Sequence, residues 1–262
     1  MYLYTKKEKM SERHEYVTGF EKGLAIIEAF SNENPSLTIS EAADLTGQSR
    51  AAARRYLLTL LALGYVRQEK NQFYLTARVL RLSGAYIESD ALVREAQHVL
   101  DQLSSQFEES TSIGVLDATD VVFIARSTTK RILAIEIGVG TKLPAYCSSM
   151  GRVLMAYEEQ ARVKEMLEHQ ELKSLTPYTL TTIESIEKEI QKVIDLGYSL
   201  SDQEIELGLR SLAVPVFNRR GQCIAAMSVS TQTGRMSTKD MLDNFFPKLR
   251  DASKKLARAM NI

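Results

Sequence analysis

The 262-residue chain contains little that would cross-link it, load it with metal or tether it. Its two cysteines, Cys147 and Cys223, lie far apart with no pairing motif. That excludes a disulfide-stapled scaffold and fits a reducing compartment. Three histidines, His14, His98 and His169, are too scattered for zinc-ligand spacing, so no metal or other cofactor is expected. No apolar run approaches the ~20 residues needed to cross a bilayer. The lysine-rich start, Met1 to Met10, has no apolar segment of the signal-peptide kind. Internal repeats and low-complexity stretches are absent, and the formal net charge is zero. What remains is a cytoplasmic globular protein without a membrane partner. With 44% hydrophobic and 25% charged residues, it is long enough for two domains.

Zero net charge conceals an uneven distribution. Acidic residues outnumber basic ones from Arg13 to Asp44, whereas Thr46 to Arg81 holds Arg50, Arg54, Arg55, Arg67, Lys70, Arg78 and Arg81 against Glu69 alone. Phosphate attraction requires such a local patch rather than a basic protein. The patch coincides with a pattern. Ser40 to Thr46 reads as a short helix closed by Gly47, and Ser49 to Val66 as a second helix with an N-cap serine and a terminating glycine. Ala53, Leu57, Leu60 and Leu61 form the buried stripe of that second helix, while Arg50 and Arg54, four apart, project together from another face. Two helices joined by a tight glycine-containing turn make a helix-turn-helix. Tyr65 to Arg67 and Gln72 to Leu75, around a polar turn at Glu69-Lys70-Asn71, supply a wing. Ser49, Arg50, Ala51, Arg54, Arg55 and Arg67 are the expected contacts to double-stranded operator DNA. The plainer reading of such a charge run is a solvated helix face.

The rest of the chain divides by periodicity. Residues 1–17 read as a flexible arm carrying Lys6, Lys7 and Lys9, and 18–81 as the winged helix-turn-helix domain. There a first helix, about Gly19 to Phe30, buries Leu24, Ile27 and Phe30. Residues 82–110 form a linker helix, part of one long helix over Thr76 to Glu109, with a stripe of Leu92, Ala96, Val99, Leu100, Leu103 and Phe107 and a weak point at Ser83-Gly84. Residues 111–262 read as an effector domain. It opens on strands at 112–116, 121–125 and 132–137 and continues with helices at 148–157, 159–168 and 183–196. Strands at 212–217 and 223–230 and a final helix over 237–260, interrupted at Pro247, close it. Pro215 fits a strand only where no ladder donor is required. Strands at both ends with helices between predict an α+β domain built on an antiparallel sheet.

Enzyme signatures are missing. Gly138-Val139-Gly140-Thr141-Lys142 lacks P-loop spacing, and Ser148-Ser149-Met150-Gly151 is not a nucleophile elbow. Two alternatives to a ligand-controlled regulator stay open on the residues: an oligomeric DNA-binding protein with no small effector, and an enzyme acting on a small organic acid.

Gly140 to Ala156 and Gly208 to Val216, followed by Gly221 and Ala225 to Ser230, resemble the effector-domain signature of the IclR family of bacterial transcription regulators. Ala53-Arg54-Arg55-Tyr56-Leu57 and Tyr146-Cys147-Ser148-Ser149-Met150-Gly151-Arg152 are most similar to the branch that controls aromatic-acid breakdown through the β-ketoadipate pathway. The resemblance implies a GAF-like effector domain, homodimers that pair further into tetramers, and an effector such as protocatechuate, 4-hydroxybenzoate or a β-ketoadipate-like acid. Carried over by position, it implies a pocket at Ser148, Ser149, Met150 and Gly151 with Ser211, Ser228 and Ser230. Helix-start amides favour anions, and Ser228 and Ser230, two apart on a strand, share one side. Arg152 and Arg126 are candidates for pairing a carboxylate, and Leu154 and Met227 for covering a carbon skeleton. Any one of these serines could instead be a cap, and Met150, Leu154 and Met227 ordinary core.

Overall fold

A computed structural model describes residues 16–128 and 138–260 of the chain. The lysines of the arm and the strand expected at 132–137 lie outside the described residues. The chain divides into two compact units, Met1–Tyr86 and Ile87–Ile262.

The first unit contains α1 (Thr18–Glu28), α2 (Ile39–Thr46), α3 (Arg50–Ala62) and an antiparallel pair, β1 (Val66–Glu69) with β2 (Gln72–Leu75). Helix α2 starts earlier than its serine suggests. Thr38 is the N-cap, accepting from Glu41 N at 3.3 Å while Glu41 Oε2 accepts from Thr38 N at 2.7 Å, a reciprocal capping box. Gly47, with φ of 64°, ends it in a left-handed turn that a side chain would disfavour. Ile26, Leu37, Ala42, Ala43, Ala53, Leu57, Leu60, Val66 and Phe73 form the core. Helix α1 therefore points Ile26 inward, not Leu24, which is exposed beside Val17 and Phe20.

The single helix expected over Thr76 to Glu109 is broken. A 3-10 turn at Ala77–Val79 precedes α4 (Leu80–Ser89), and α5 (Ala91–Phe107) starts afresh after Asp90. Asp90 Oδ1 accepts from Leu92 N at 2.8 Å and from Val93 N at 3.4 Å, so the carboxylate caps a new helix in the middle of the predicted one.

In the second unit α5 leads into β3 (Ser110–Asp117) and β4 (Asp120–Ser127). Then come β5 (Lys142–Pro144), α6 (Ser149–Ala156), α7 (Gln160–Glu168), α8 (Ile183–Leu196), β6 (Ser199–Asp202), β7 (Leu209–Phe217), β8 (Cys223–Gln232), α9 (Thr238–Asn244) and α10 (Phe246–Ala259). Among the described residues six antiparallel strands form one sheet in the order β5-β4-β3-β8-β7-β6. Of these, β5 and β6 carry no strand signal in the sequence beyond a few residues. The final helix breaks at Phe245, which leaves Pro247 in the first turn of α10, where its missing N–H costs nothing. Pro215 sits where β7 has run past the end of its pairing with β6, which covers only residues 210–213 of β7. The side of β7 without a partner is thus where a residue lacking a donor is tolerated.

Alternation along the strands splits the apolar residues between two cores. Ile113, Leu212, Val214, Val216, Ala225, Met227 and Val229 pack with the α5 stripe and with Leu249 and Leu256 of α10. Val121, Phe123, Ala213 and Ala226, on the opposite face, pack with Met150, Val153 and Leu154 of α6, Val163 and Leu167 of α7, and Ile186, Ile190 and Val193 of α8. Two glycines let α6 come close. A Cβ on Gly151 would lie 2.1 Å from the Ala145 carbonyl oxygen, and one on Gly114 would lie 2.6 Å from Val121 Cγ1 and 3.2 Å from Met150 Cε.

Candidate functional site

Helix α3 presents its arginines outward. Ser49 caps it, accepting from Ala52 N at 3.2 Å. Ala53, Leu57 and Leu60 are buried, so the helical period leaves Arg50, Ala51, Arg54 and Arg55 exposed. Arg67 behaves differently. It pairs with Glu69 two residues along the same strand, and its guanidinium lies over the ring of Tyr74 on the paired strand, 4.3 Å from the centroid. Arg78 similarly lies over Tyr65 at 5.3 Å. The wing arginine thus stiffens its own hairpin, while the helix arginines project into solvent.

The second unit carries a polar surface of the opposite kind, buried and assembled from distant segments. Register places Ser112 of β3 opposite both Arg126 of β4 and Ser228 of β8. Ser110 and Ser211 flank Ser230 in the neighbouring row, and Ser201 of β6 extends that row. Directly opposed residues share a face, and Gly114, two beyond Ser112, lies against Met150 of α6. The whole set therefore faces α6. Some of these hydroxyls have partners: Ser149 and Ser211 Oγ atoms are 2.9 Å apart, and Ser201 Oγ donates to Cys147 O at 3.0 Å. Among the described residues the hydroxyls of Ser112, Ser228 and Ser230 form no hydrogen bond, although Ser112 and Ser228 are buried. The Nε of Arg126 is likewise buried without a partner, and burial lowers the pKa of its guanidinium. Of this set the Arg126 Nε is a fully enclosed polar atom without a partner; such atoms are rare in protein interiors, and with the unpaired hydroxyls beside it this one calls for something that completes it.

Several candidate residues have other duties. Ser148 caps α6, accepting from Gly151 N at 3.0 Å. Arg152, a candidate for a ligand carboxylate, is 1% exposed and held by Glu204, Nη1 to Oε1 at 2.6 Å and Nη2 to Oε2 at 2.5 Å, with Nε donating to Tyr146 O at 3.1 Å. A guanidinium bonded along both its edges has no fork left to offer. Met227 also departs from expectation. It alternates with Ser228, so it points into the α5 and α10 core on the far side of the sheet and cannot cover a molecule beside Ser228. Met150 and Leu154 do lie on the α6 side. Burial pushes the Cys147 and Cys223 thiols up to about 12, which makes them poor nucleophiles. Sequence reasoning missed Ser112, although its place in Ser110-Thr111-Ser112-Ile113-Gly114 carries the period of two that sets it beside Ser110 and Gly114. Glu204, in a loop with no pattern of its own, gave no signal.

A capped, arginine-bearing helix-turn-helix with a wing, followed by a helix-flanked antiparallel sheet with a buried polar face, is the plan of a one-component transcription regulator. Residues 20–70 match the IclR helix-turn-helix domain and residues 84–258 match the bacterial transcriptional regulator IclR C-terminal domain. The chain belongs to the IclR family. Family and relatives are transcription regulators, not enzymes. The chain is 39% identical over 247 residues to the Pca regulon regulatory protein of Pseudomonas putida, covering 94% of this chain and 85% of that one. It is also 39% identical over 247 residues to the p-hydroxybenzoate hydroxylase transcriptional activator of Acinetobacter baylyi, covering 92% and 91%. Among solved structures, it is similar to a double mutant of the PobR inducer-binding domain from Acinetobacter in complex with 3-hydroxybenzoic acid. There the identity is 35% and the TM-score 0.60, over 63% of this chain and 96% of that one. Among the described residues no helix is long and apolar enough to cross a membrane.

Proposed function

We propose that the chain is an aromatic-acid-responsive regulator whose first unit reads operator DNA and whose second unit binds a small carboxylic acid of the 4-hydroxybenzoate or protocatechuate class. The observation that carries the ligand half is the unbonded set of Ser112, Ser228 and Ser230 hydroxyls, facing the start of α6. Ser149, Met150, Gly151 and Leu154 line the opposite wall, and Ser211 joins through its contact with Ser149. Hydroxyls already aligned on one face of a sheet supply donors that need no metal and little reorganisation when an acid arrives. The relatives with this architecture regulate the Pca regulon and p-hydroxybenzoate hydroxylase, which supports the ligand class.

On the DNA side, Arg50, Arg54 and Arg55 are the contacts, with Ser49 and Ala51 at the helix start close enough to the backbone to fix register. Arg67 shapes the wing. The working species is a homodimer, since one winged helix reads only a short half-site and two at fixed spacing gain affinity. The exposed apolar side chains Leu80, Leu82 and Tyr86 of α4 support that assembly. For control, the acid must prefer one arrangement of the regulator, because equal affinity for two would shift nothing. Calorimetry of the full chain with 4-hydroxybenzoate and protocatechuate, beside gel-shift titration of its operator with and without acid, tests the reading. Saturable acid binding that changes operator affinity is expected; no heat with either acid would sink it.

A further inference from the structure

Two arginines bear on the α6 side of the sheet, and their circumstances differ completely. Arg152 is bonded on both edges, and its charge is matched by Glu204. Arg126 stands opposite Ser112, whose other neighbour is Ser228, and its buried Nε has no partner among the described residues. One guanidinium thus shares a row with two unbonded hydroxyls. At the other end of the same face, on β7, stands the Ser149–Ser211 hydroxyl pair, which is uncharged. Three strand steps of ~4.8 Å, roughly 14 Å, separate the backbones of β4 and β7. An arginine side chain and a benzene ring substituted at opposite ends can share that span.

We infer that Arg126, with Ser112 and Ser228, anchors the single carboxylate of the effector, and that Ser149 with Ser211 reads an uncharged polar group at the ligand's far end. The inference rests on the ligand class proposed above and narrows it. The site takes aromatic acids bearing one carboxylate and a hydroxyl at the opposite position, and it discriminates against dicarboxylates, including β-ketoadipate-like acids. A second carboxylate would be brought to a pair of hydroxyls with no counter-charge, because the Arg152 guanidinium is already held by Glu204, and an unmatched buried charge is costly. Arg126 is half-buried with its Nε enclosed and unpartnered, so an anion arriving beside it completes the site, and the site in turn selects the ligand's charge.

The test uses calorimetry on the full-length protein with four probes: 4-hydroxybenzoate, its neutral amide 4-hydroxybenzamide, terephthalate and 3-oxoadipate. The wild-type chain should prefer 4-hydroxybenzoate to the amide by about tenfold or more, the worth of hydrogen bonds to a charged group. Terephthalate and 3-oxoadipate should bind at least about tenfold more weakly than 4-hydroxybenzoate. Arg126→Met should erase the acid-over-amide preference, and Arg126→Lys should restore part of it, with thermal melts checking that both variants fold. A merely structural role for Arg126 would lower affinity for acid and amide alike and leave their ratio intact. That result overturns the anchor while the ligand class survives. Wild-type protein that binds terephthalate or 3-oxoadipate as tightly as 4-hydroxybenzoate overturns the charge selection without needing any variant. Wild-type protein that binds none of the four removes the proposed function as well.

Discussion

The two units place their arginines in opposite physical settings. Arg50, Arg54 and Arg55 stand exposed on one helix, where the surrounding water makes a free charge cheap and keeps it available to a phosphate or a base edge. Arg152 is buried against a sheet, where its charge needs a partner, and Arg126 is half-buried there with its Nε enclosed. Arg152 finds Glu204; Arg126 finds none among the described residues. The contrast teaches that solvent decides what an arginine is for. In the first unit a lone charge contributes nothing to the core and stays free for an anionic partner, and in the second a matched charge holds the fold while an unmatched one is the anchor inferred above.

The sharpest way to break that contrast is to remove a matched buried charge. Arg152→Ala should destabilise the protein by ~3–5 kcal/mol, because Glu204 is left buried and uncompensated. Chemical denaturation should show the loss, whereas the same change at Arg54 should leave the unfolding midpoint within error. If Arg152→Ala melts like wild type, the buried pair is not holding the start of α6.

Arg54→Ala is the converse experiment. Operator binding should weaken by ~1–3 kcal/mol if Arg54 meets a base edge, with specificity relaxing at one position. If it meets only phosphate, all sequences should lose affinity and the salt slope should fall by about one charge. Unchanged affinity in a gel-shift titration would remove Arg54 from the DNA surface.

A smaller effect is expected from the serine face. Changing Ser228→Ala together with Ser230→Ala removes two neutral hydroxyls, each worth about 0.5–1.5 kcal/mol of binding. Acid affinity should fall and the effector response should be blunted, while operator binding without acid is preserved. Because these hydroxyls are unbonded in the chain itself, stability should hold or rise slightly. A marked drop in melting temperature would mean that they serve the fold instead.

The smallest effect concerns the thiols. Burial raises Cys147 and Cys223 from 9.0 to about 12, so the folded state keeps protons that the unfolded chain releases. Their contribution to stability is complete below about pH 9 and is lost as pH rises from there towards 12. At neutral pH, neither thiol should react with iodoacetamide until the protein is unfolded. Rapid labelling of the native chain would show that the α6 side opens readily.

How much of this was legible in advance follows from where each residue's partners lie in the chain. Ser49, Arg50 and Arg54 are adjacent in sequence, and helical period alone puts the arginines on the side away from Leu57 and Leu60. The wing hairpin is similarly local. The same holds for the alternation of β8, which sets Ser228 and Ser230 on one face. That alternation, applied one residue back, also rules Met227 out of the site. Period could not reveal Asp90 breaking the linker helix, since the apolar stripe begins only at Leu92 and a capping carboxylate just before it leaves that periodicity unchanged.

By itself, then, the sequence determined the class of protein, the capped arginine-bearing helix and the face on which Ser228 and Ser230 lie, because those depend on neighbours three, four or two residues away. Only the tertiary structure decided which of two arginines is available. Glu204 lies 52 residues from Arg152 in the chain, and Ser112 lies 116 residues from Ser228. Pairing of a charge is a property of distance in space, and the long-range register of the sheet sets that distance.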